Sequence, residues 1–145
     1  MTDLKDFLES KKYKKIKFKI LKTQHLVVKA KINGVSGLFI LDTGASNTCL
    51  GFESIEKFDL KPEKSTTKAA SASSADMYTK VAKGNKVQLS TWKTTDFNLV
   101  IFDLSHVNQV LSTYGVNSID GIIGADILLK GKAIIDYTNH YLYLI

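Results

Sequence analysis

The chain has 145 residues, 44% of them apolar and 23% charged, with one Cys, one Pro and a net charge of +6. That size supports one domain with one core, the apolar share excludes a disordered chain, and no apolar run approaches the ~20 residues of a membrane span. The basic excess is local: all 20 basic residues are Lys, ten of them lie in residues 1–31 against only Asp3, Asp6 and Glu9, and the remainder is close to neutral.

Leu4, Phe7 and Leu8 recur at helical spacing with Asp3 and Asp6 at the start, which predicts a short amphipathic helix. From Lys15 the pattern becomes alternating, Ile16, Phe18 and Ile20 on one face and Lys15, Lys17 and Lys19 on the other, as in a half-buried strand with a solvated Lys row. His25 to Ile32 reads as a second strand, Asn33-Gly34 as a hairpin turn, and Gly37 to Leu41 as an apolar strand running into Asp42. Phe52 to Phe58 is expected to hold a short helix, and Lys64 to Lys83 an extended hairpin with a small-residue middle. Gly84-Asn85 is expected to turn the chain into strands at Lys86 to Ser90 and Phe97 to Phe102. Leu104, Val107, Val110 and Leu111 suggest a helix, and two strands, Ala133 to Tyr137 and Tyr141 to Ile145, close the pattern around Asn139. Strands dominate, and no repeat or low-complexity linker divides the chain.

The Lys-rich segment lacks the planar Arg fork and any recognisable nucleic-acid motif, so no nucleic acid is expected as a partner. A lone Cys forms no intramolecular disulfide, and Met1 is followed by no apolar signal-like run. A cytoplasmic location is the default, with a periplasmic or extracellular one only if an upstream signal was removed. His25, His106 and His140 are scattered without acids or Cys at ligand spacing, so no metal or other cofactor is expected. Cys49, in a strand, reads as a buried thiol, Trp92 as packing, Ser46 equally as a support of the loop or a plain turn serine, Asp126 as a helix N-terminal acid and Asp136 as a surface or structural acid.

The most informative stretch is Leu38-Phe39-Ile40-Leu41-Asp42-Thr43-Gly44-Ala45-Ser46, an acid leaving a buried strand at a Gly-containing turn. Two such acids brought together share one proton, and the pair can activate a water and protonate a leaving amine. The segment resembles the Asp-Thr-Gly loop of aspartic proteases. About eighty residues on, Ile119-Asp120-Gly121-Ile122-Ile123-Gly124-Ala125-Asp126-Ile127-Leu128 is similar to the family's second signature, two apolar residues and Gly before a short helix. With one such Asp in a chain this short, the sequence resembles the retropepsin-like branch, in its cellular or bacterial form.

That resemblance implies an all-β, retropepsin-like closed barrel with a flap hairpin and short helices, spanning residues 15–145 after a helical extension at 1–14. It implies activity as a C2 homodimer in which each subunit supplies Asp42 as the catalytic carboxylate, with Thr43, Gly44 and Ala45 forming the active-site loop and dimer contact. Ile122, Ile123 and Gly124 would pack behind that loop. The flap tip would fall in Ala69-Ala70-Ser71-Ala72-Ser73-Ser74, which lacks the Gly of retroviral flaps. Ala45 stands where pepsin-like members carry Ser, and activity is expected in mildly acidic to near-neutral conditions. The implied function is hydrolysis of peptide bonds in a peptide or protein substrate. The competing expectation is a catalytically silent, dimeric peptide-binding module of the same fold. A further expectation is that residues 1–14 block the groove or the interface until removed.

Overall fold

Asn33 and Gly34 have φ of 51° and 85°, the left-handed pair that a two-residue hairpin turn demands. They join β2 (Leu26–Ile32) to β3 (Val35–Leu41) in an unbroken antiparallel register from Ile32↔Val35 to Leu26↔Leu41. The structure, a computed structural model, describes residues 3–64 and 79–145. Before this hairpin come α1 (Leu4–Ser10), capped by the Asp3 side chain accepting from the Asp6 N–H, and β1 (Lys14–Ile20). After it come β4 (Cys49–Gly51), a single 3-10 turn at Phe52–Ser54, β5 (Pro62–Lys64), β6 (Lys80–Leu89), β7 (Trp92–Phe102) and α2 (Ser105–Thr113). The chain finishes with β8 (Gly121–Ile123), α3 (Ala125–Lys130), β9 (Ile134–Asp136) and β10 (Tyr141–Leu144).

Six strands form a closed ring: β2 pairs with β3, β3 with β8, β8 with β4, β4 with β7, β7 with β6, and β6 returns to β2 through Lys31↔Gln88 and Ile32↔Val87. Closure leaves none of these six as a free edge along its whole length. The remaining strands extend from the ring, β1 pairing with β2 and β10, β9 with β10, and β5 with β6. Alternation places Phe18, Val28, Ala30, Ile32, Leu99 and Ile101 inside, with Phe39 and Phe58 in ring contact at 6.2 Å between centroids. Apart from the small Ala30, each of these side chains contributes about 1.5–3 kcal/mol of burial.

β3 is apolar on both faces for a structural reason. Phe39 and Leu41 face the barrel core, whereas Ile40 faces a second cluster with Leu111 of α2 and Ile119. A strand covered on both sides reads as a continuous apolar run, which is what Leu38 to Leu41 shows.

Two expectations need correction. Gly84-Asn85 does not turn the chain; β6 runs straight through it as a bulge, with register shifts between Ala82, Asn85 and Val87 and with Gly84 at φ 73°. Buried Asn85 holds the bulge by donating to the Ala82 and Phe97 carbonyls and accepting from the Asn33 side chain. The reversal falls instead at Ser90-Thr91, so β7 begins at Trp92. The helix expected over Phe52 to Phe58 is the single 3-10 turn, followed by turns. Other expectations fit: Trp92 is buried and donates to the Ile145 carbonyl, and Asp136 accepts from the backbone and side chain of Asn139, closing the β9–β10 turn. No helix among the described residues is long and apolar enough to cross a membrane.

Candidate active site

Asp42 is the first residue after β3 and is exposed, as are Thr43 and Gly44, while Ala45 is half-buried. Its backbone is fixed by β8, since the Asp42 N–H donates to the Ile123 carbonyl at 3.0 Å, one step beyond the parallel pair Leu41↔Ile123. The loop then folds on itself: the Gly44 N–H donates to Asp42 Oδ1 at 2.9 Å and the Ala45 N–H to the Asp42 carbonyl at 3.2 Å. Gly44 is not in the left-handed region. Its value is closeness, because a Cβ there would sit 3.3 Å from the same Oδ1.

The chain re-enters the barrel as β4, which runs antiparallel to β8 through Cys49↔Ile122 and Leu50↔Gly121. β8 is thus threaded between the outgoing and returning arms of the Asp42 loop. This explains the glycines at its two ends: a Cβ on Gly121 would lie 2.2 Å from the Cys49 carbonyl oxygen, and one on Gly124 2.7 Å from that of Ala45. Ile122 and Ile123 fill the space between, Ile123 fully buried in the core and Ile122 half-buried against the Ile40–Leu111–Ile119 cluster. The sequence-predicted residues Asp42, Thr43, Gly44, Ala45, Ile122, Ile123 and Gly124 therefore meet at one end of the barrel.

A lock that the sequence reading did not anticipate holds the returning arm. Asp126, in the first turn of α3, accepts from the Thr48 N–H through both carboxylate oxygens at 2.9 Å, from Thr48 Oγ1 at 2.7 Å and from its own neighbour Ile127 N–H at 2.8 Å. Thr48 Oγ1 in turn accepts from the Gly124 N–H at 3.0 Å, and the Ala125 N–H donates to the Ala45 carbonyl at 2.7 Å. Asp126 is a helix N-terminal acid as expected, but it also spans from α3 to the loop. The available signal was an acid directly after the apolar-apolar-Gly element together with a Thr before Cys49.

Asp120 plays a similar part at the other end of β8. It accepts from the Leu38 N–H at 2.9 Å and from Lys57 Nζ at 3.0 and 3.1 Å. Cys49 lies buried behind the loop, and its thiol is pushed up to about 12, by burial first and then by the Asp126 and Asp42 carboxylates, against a hydrogen bond at Ile122. It stays a protonated, inert thiol. No group of three or more His, Cys, Asp or Glu among the described residues is arranged to hold a metal ion.

The flap assignment is anchored only at its base, where Pro62, Glu63 and Lys64 pair with Ala82, Val81 and Lys80. Its assigned tip, Ala69 to Ser74, lies outside the described residues. The described residues do not enclose Asp42: a small cavity of about 40 Å³, between Gly51, Phe52, Leu104 and Asn108, lies away from the loop.

Three of the solved structures that share this architecture illustrate the likeness. They are the retroviral protease-like domain of Ddi1 from Leishmania major (TM-score 0.58, 18% identity, covering 83% of this chain and 87% of that one), a retropepsin-like aspartic protease from Rickettsia conorii (TM-score 0.56, 18%, 91% and 90%) and the EIAV protease complexed with the inhibitor HBY-793 (TM-score 0.56, 14%, 79% and 95%). At these identities the likeness establishes the fold, a retropepsin-like barrel. A search of curated protein sequences gives no significant match. The sequence model described as aspartyl protease matches residues 28–127, which include the Asp42 loop, β8 and the start of α3. With more than half of its length so matched, the chain belongs to the aspartyl protease family.

Proposed function

We propose that the protein is an aspartic endopeptidase whose active unit is a C2 homodimer, with Asp42 facing Asp42 of the partner subunit across the two-fold axis. The observation that carries this reading is the single Asp-Thr-Gly loop, exposed at the barrel end and braced from behind by β8 and α3. A lone exposed carboxylate is a poor catalyst, because water solvates it equally in the ground and transition states. Two copies sharing a two-fold axis would bring the acids together and shield them.

In that arrangement the ionised Asp42 takes a proton from a water held between the two carboxyls. The water oxygen adds to the scissile carbonyl carbon while the protonated partner carboxyl polarises the carbonyl oxygen. The C–N bond then breaks and the departing amine takes a proton from the dyad, with no covalent intermediate. Thr43 would bond across the axis, Gly44 would keep its N–H on the carboxylate, and an extended peptide would lie as an added strand beneath the flap.

The shared dyad has a direct test. Asp42→Asn protein mixed in equal amount with the parent, and allowed to exchange subunits, leaves about half of the original active dimers by random pairing and halves the cleavage rate. A rate that does not respond to added Asp42→Asn at any ratio means each chain works alone.

A further inference from the structure

Along β10, Leu142 and Leu144 enter the main core, so Tyr143 between them points to the opposite face of the strand. Tyr143 pairs across the sheet with Lys15, whose ammonium lies 3.8 Å from Glu9 of α1. Helix α1 therefore lies over this outer face. Tyr143 is wholly buried beneath it, and among the described residues its hydroxyl is the one buried side-chain polar atom without a hydrogen-bond partner. Burial first, and then the charges of Asp136, Glu9, Tyr141 and Asp3, push the phenol up.

The helix that imposes this burial is weakly seated. Leu8 is its only buried side chain, while Leu4 and Phe7 remain 45% and 49% exposed. A cleft of about 260 Å³ opens between Asp3, Leu4 and Lys5 on one side and Asn139 and Tyr141 on the other. The junction with β1 is a helix stop with Lys12 at φ 73°, where the Lys12 and Tyr13 N–H groups donate back to the Glu9 and Leu8 carbonyls at 3.0 and 3.1 Å, and Tyr13 is also an anchor, its hydroxyl donating to the Lys132 carbonyl at 2.9 Å.

We propose that α1 is a detachable strap on the outer face of the β1–β10 pair, and that the unpartnered hydroxyl of Tyr143 sets how often it lets go. With α1 docked the hydroxyl bonds to nothing; with α1 released it bonds to water, so the group favours release. A seven-residue helix does not persist alone in water, so release and unwinding are one event, and the amide protons of α1 report it.

The test is hydrogen–deuterium exchange on the full chain, followed by mass spectrometry of peptides covering residues 4–13, for the parent, Tyr143→Phe and Leu8→Ala. Tyr143→Phe keeps the ring and removes the orphan oxygen, and exchange in this segment slows roughly tenfold. Leu8→Ala removes the one buried contact, and exchange there quickens while β2 and β3 keep their parental protection. Parental or faster exchange of α1 in Tyr143→Phe overturns the proposal, because the hydroxyl then has a partner when docked. Equal acceleration of α1 and the barrel strands in Leu8→Ala also overturns it, because α1 then opens only with the whole fold. Neither readout uses peptide cleavage, so the strap stands or falls apart from the catalytic reading.

Discussion

Replacing Asp126 by Ala leaves the Thr48 N–H and Oγ1–H without their acceptor while Thr48 stays wholly buried. The Ile127 N–H, on a residue that is itself wholly buried, also loses Asp126 and can only add to the cost at Thr48. Hydrogen bonds to a charged group are worth about 1.5–3 kcal/mol each, so two stranded donors cost about 4 kcal/mol. At roughly 2–4 °C per kcal/mol for a domain of this size, the thermal midpoint falls by about 8–16 °C. Asp126→Asn keeps at Oδ1 the acceptor that the Thr48 N–H and Oγ1–H share and loses the second carboxylate oxygen, where an NH₂ would face the Thr48 N–H, so it costs about half as much. Calorimetry or thermal circular dichroism on the three proteins gives the order parent, Asn, Ala. A midpoint for Asp126→Ala within about 2 °C of the parent would refute the claim that this carboxylate braces the Asp42 loop from α3.

Other perturbations probe the same brace and its surroundings. Gly124→Ala would place a Cβ 2.7 Å from the Ala45 carbonyl oxygen and 2.8 Å from the Asn47 carbonyl group, all backbone of the loop, so the loop must shift. We expect overpacking of about 1–3 kcal/mol in stability and a loss of cleavage out of proportion to it, read by comparing melting with turnover. Cys49 should resist a thiol reagent at pH 8 in the native protein and react at once in denaturant, because its folded thiol is pushed up to about 12 from an ordinary 9.0. By the same linkage, its contribution to stability is complete below pH 9 and declines as pH rises toward 12, since the unfolded chain loses the proton first. Lys57→Met, at a half-exposed ion pair with Asp120, should lower stability by less than about 1 kcal/mol and reduce its dependence on salt.

Much of the fold was legible because its local signals agree with one another. Asn33-Gly34 can satisfy the left-handed φ values of a tight hairpin, and alternation in β1 and β2 matches one buried face. Gly84-Asn85 misled because the same dipeptide chemistry serves a bulge as well as a turn, and the choice depends on Asn33, which lies beside β6 at the end of the neighbouring β2 but 52 residues away in sequence. The Asp42 loop and β8 were legible through the pattern that they share with a family, and Gly121 and Gly124 are explained by backbone distant in sequence that a Cβ there would meet at less than 3 Å. The Thr48–Asp126 lock was not legible, because a helix N-terminal acid looks the same whether it serves its own helix or a strand 78 residues away.

The most direct measurement is digestion of a peptide library by the protein, with its mass in solution measured at the assay concentration, read by mass spectrometry between about pH 4 and 8, with Asp42→Asn as control. The account predicts internal cleavage by the parent protein and none by Asp42→Asn of unchanged fold and dimer mass. Cleavage that persists in Asp42→Asn, or a dimeric parent that binds peptides without cutting any, would contradict it.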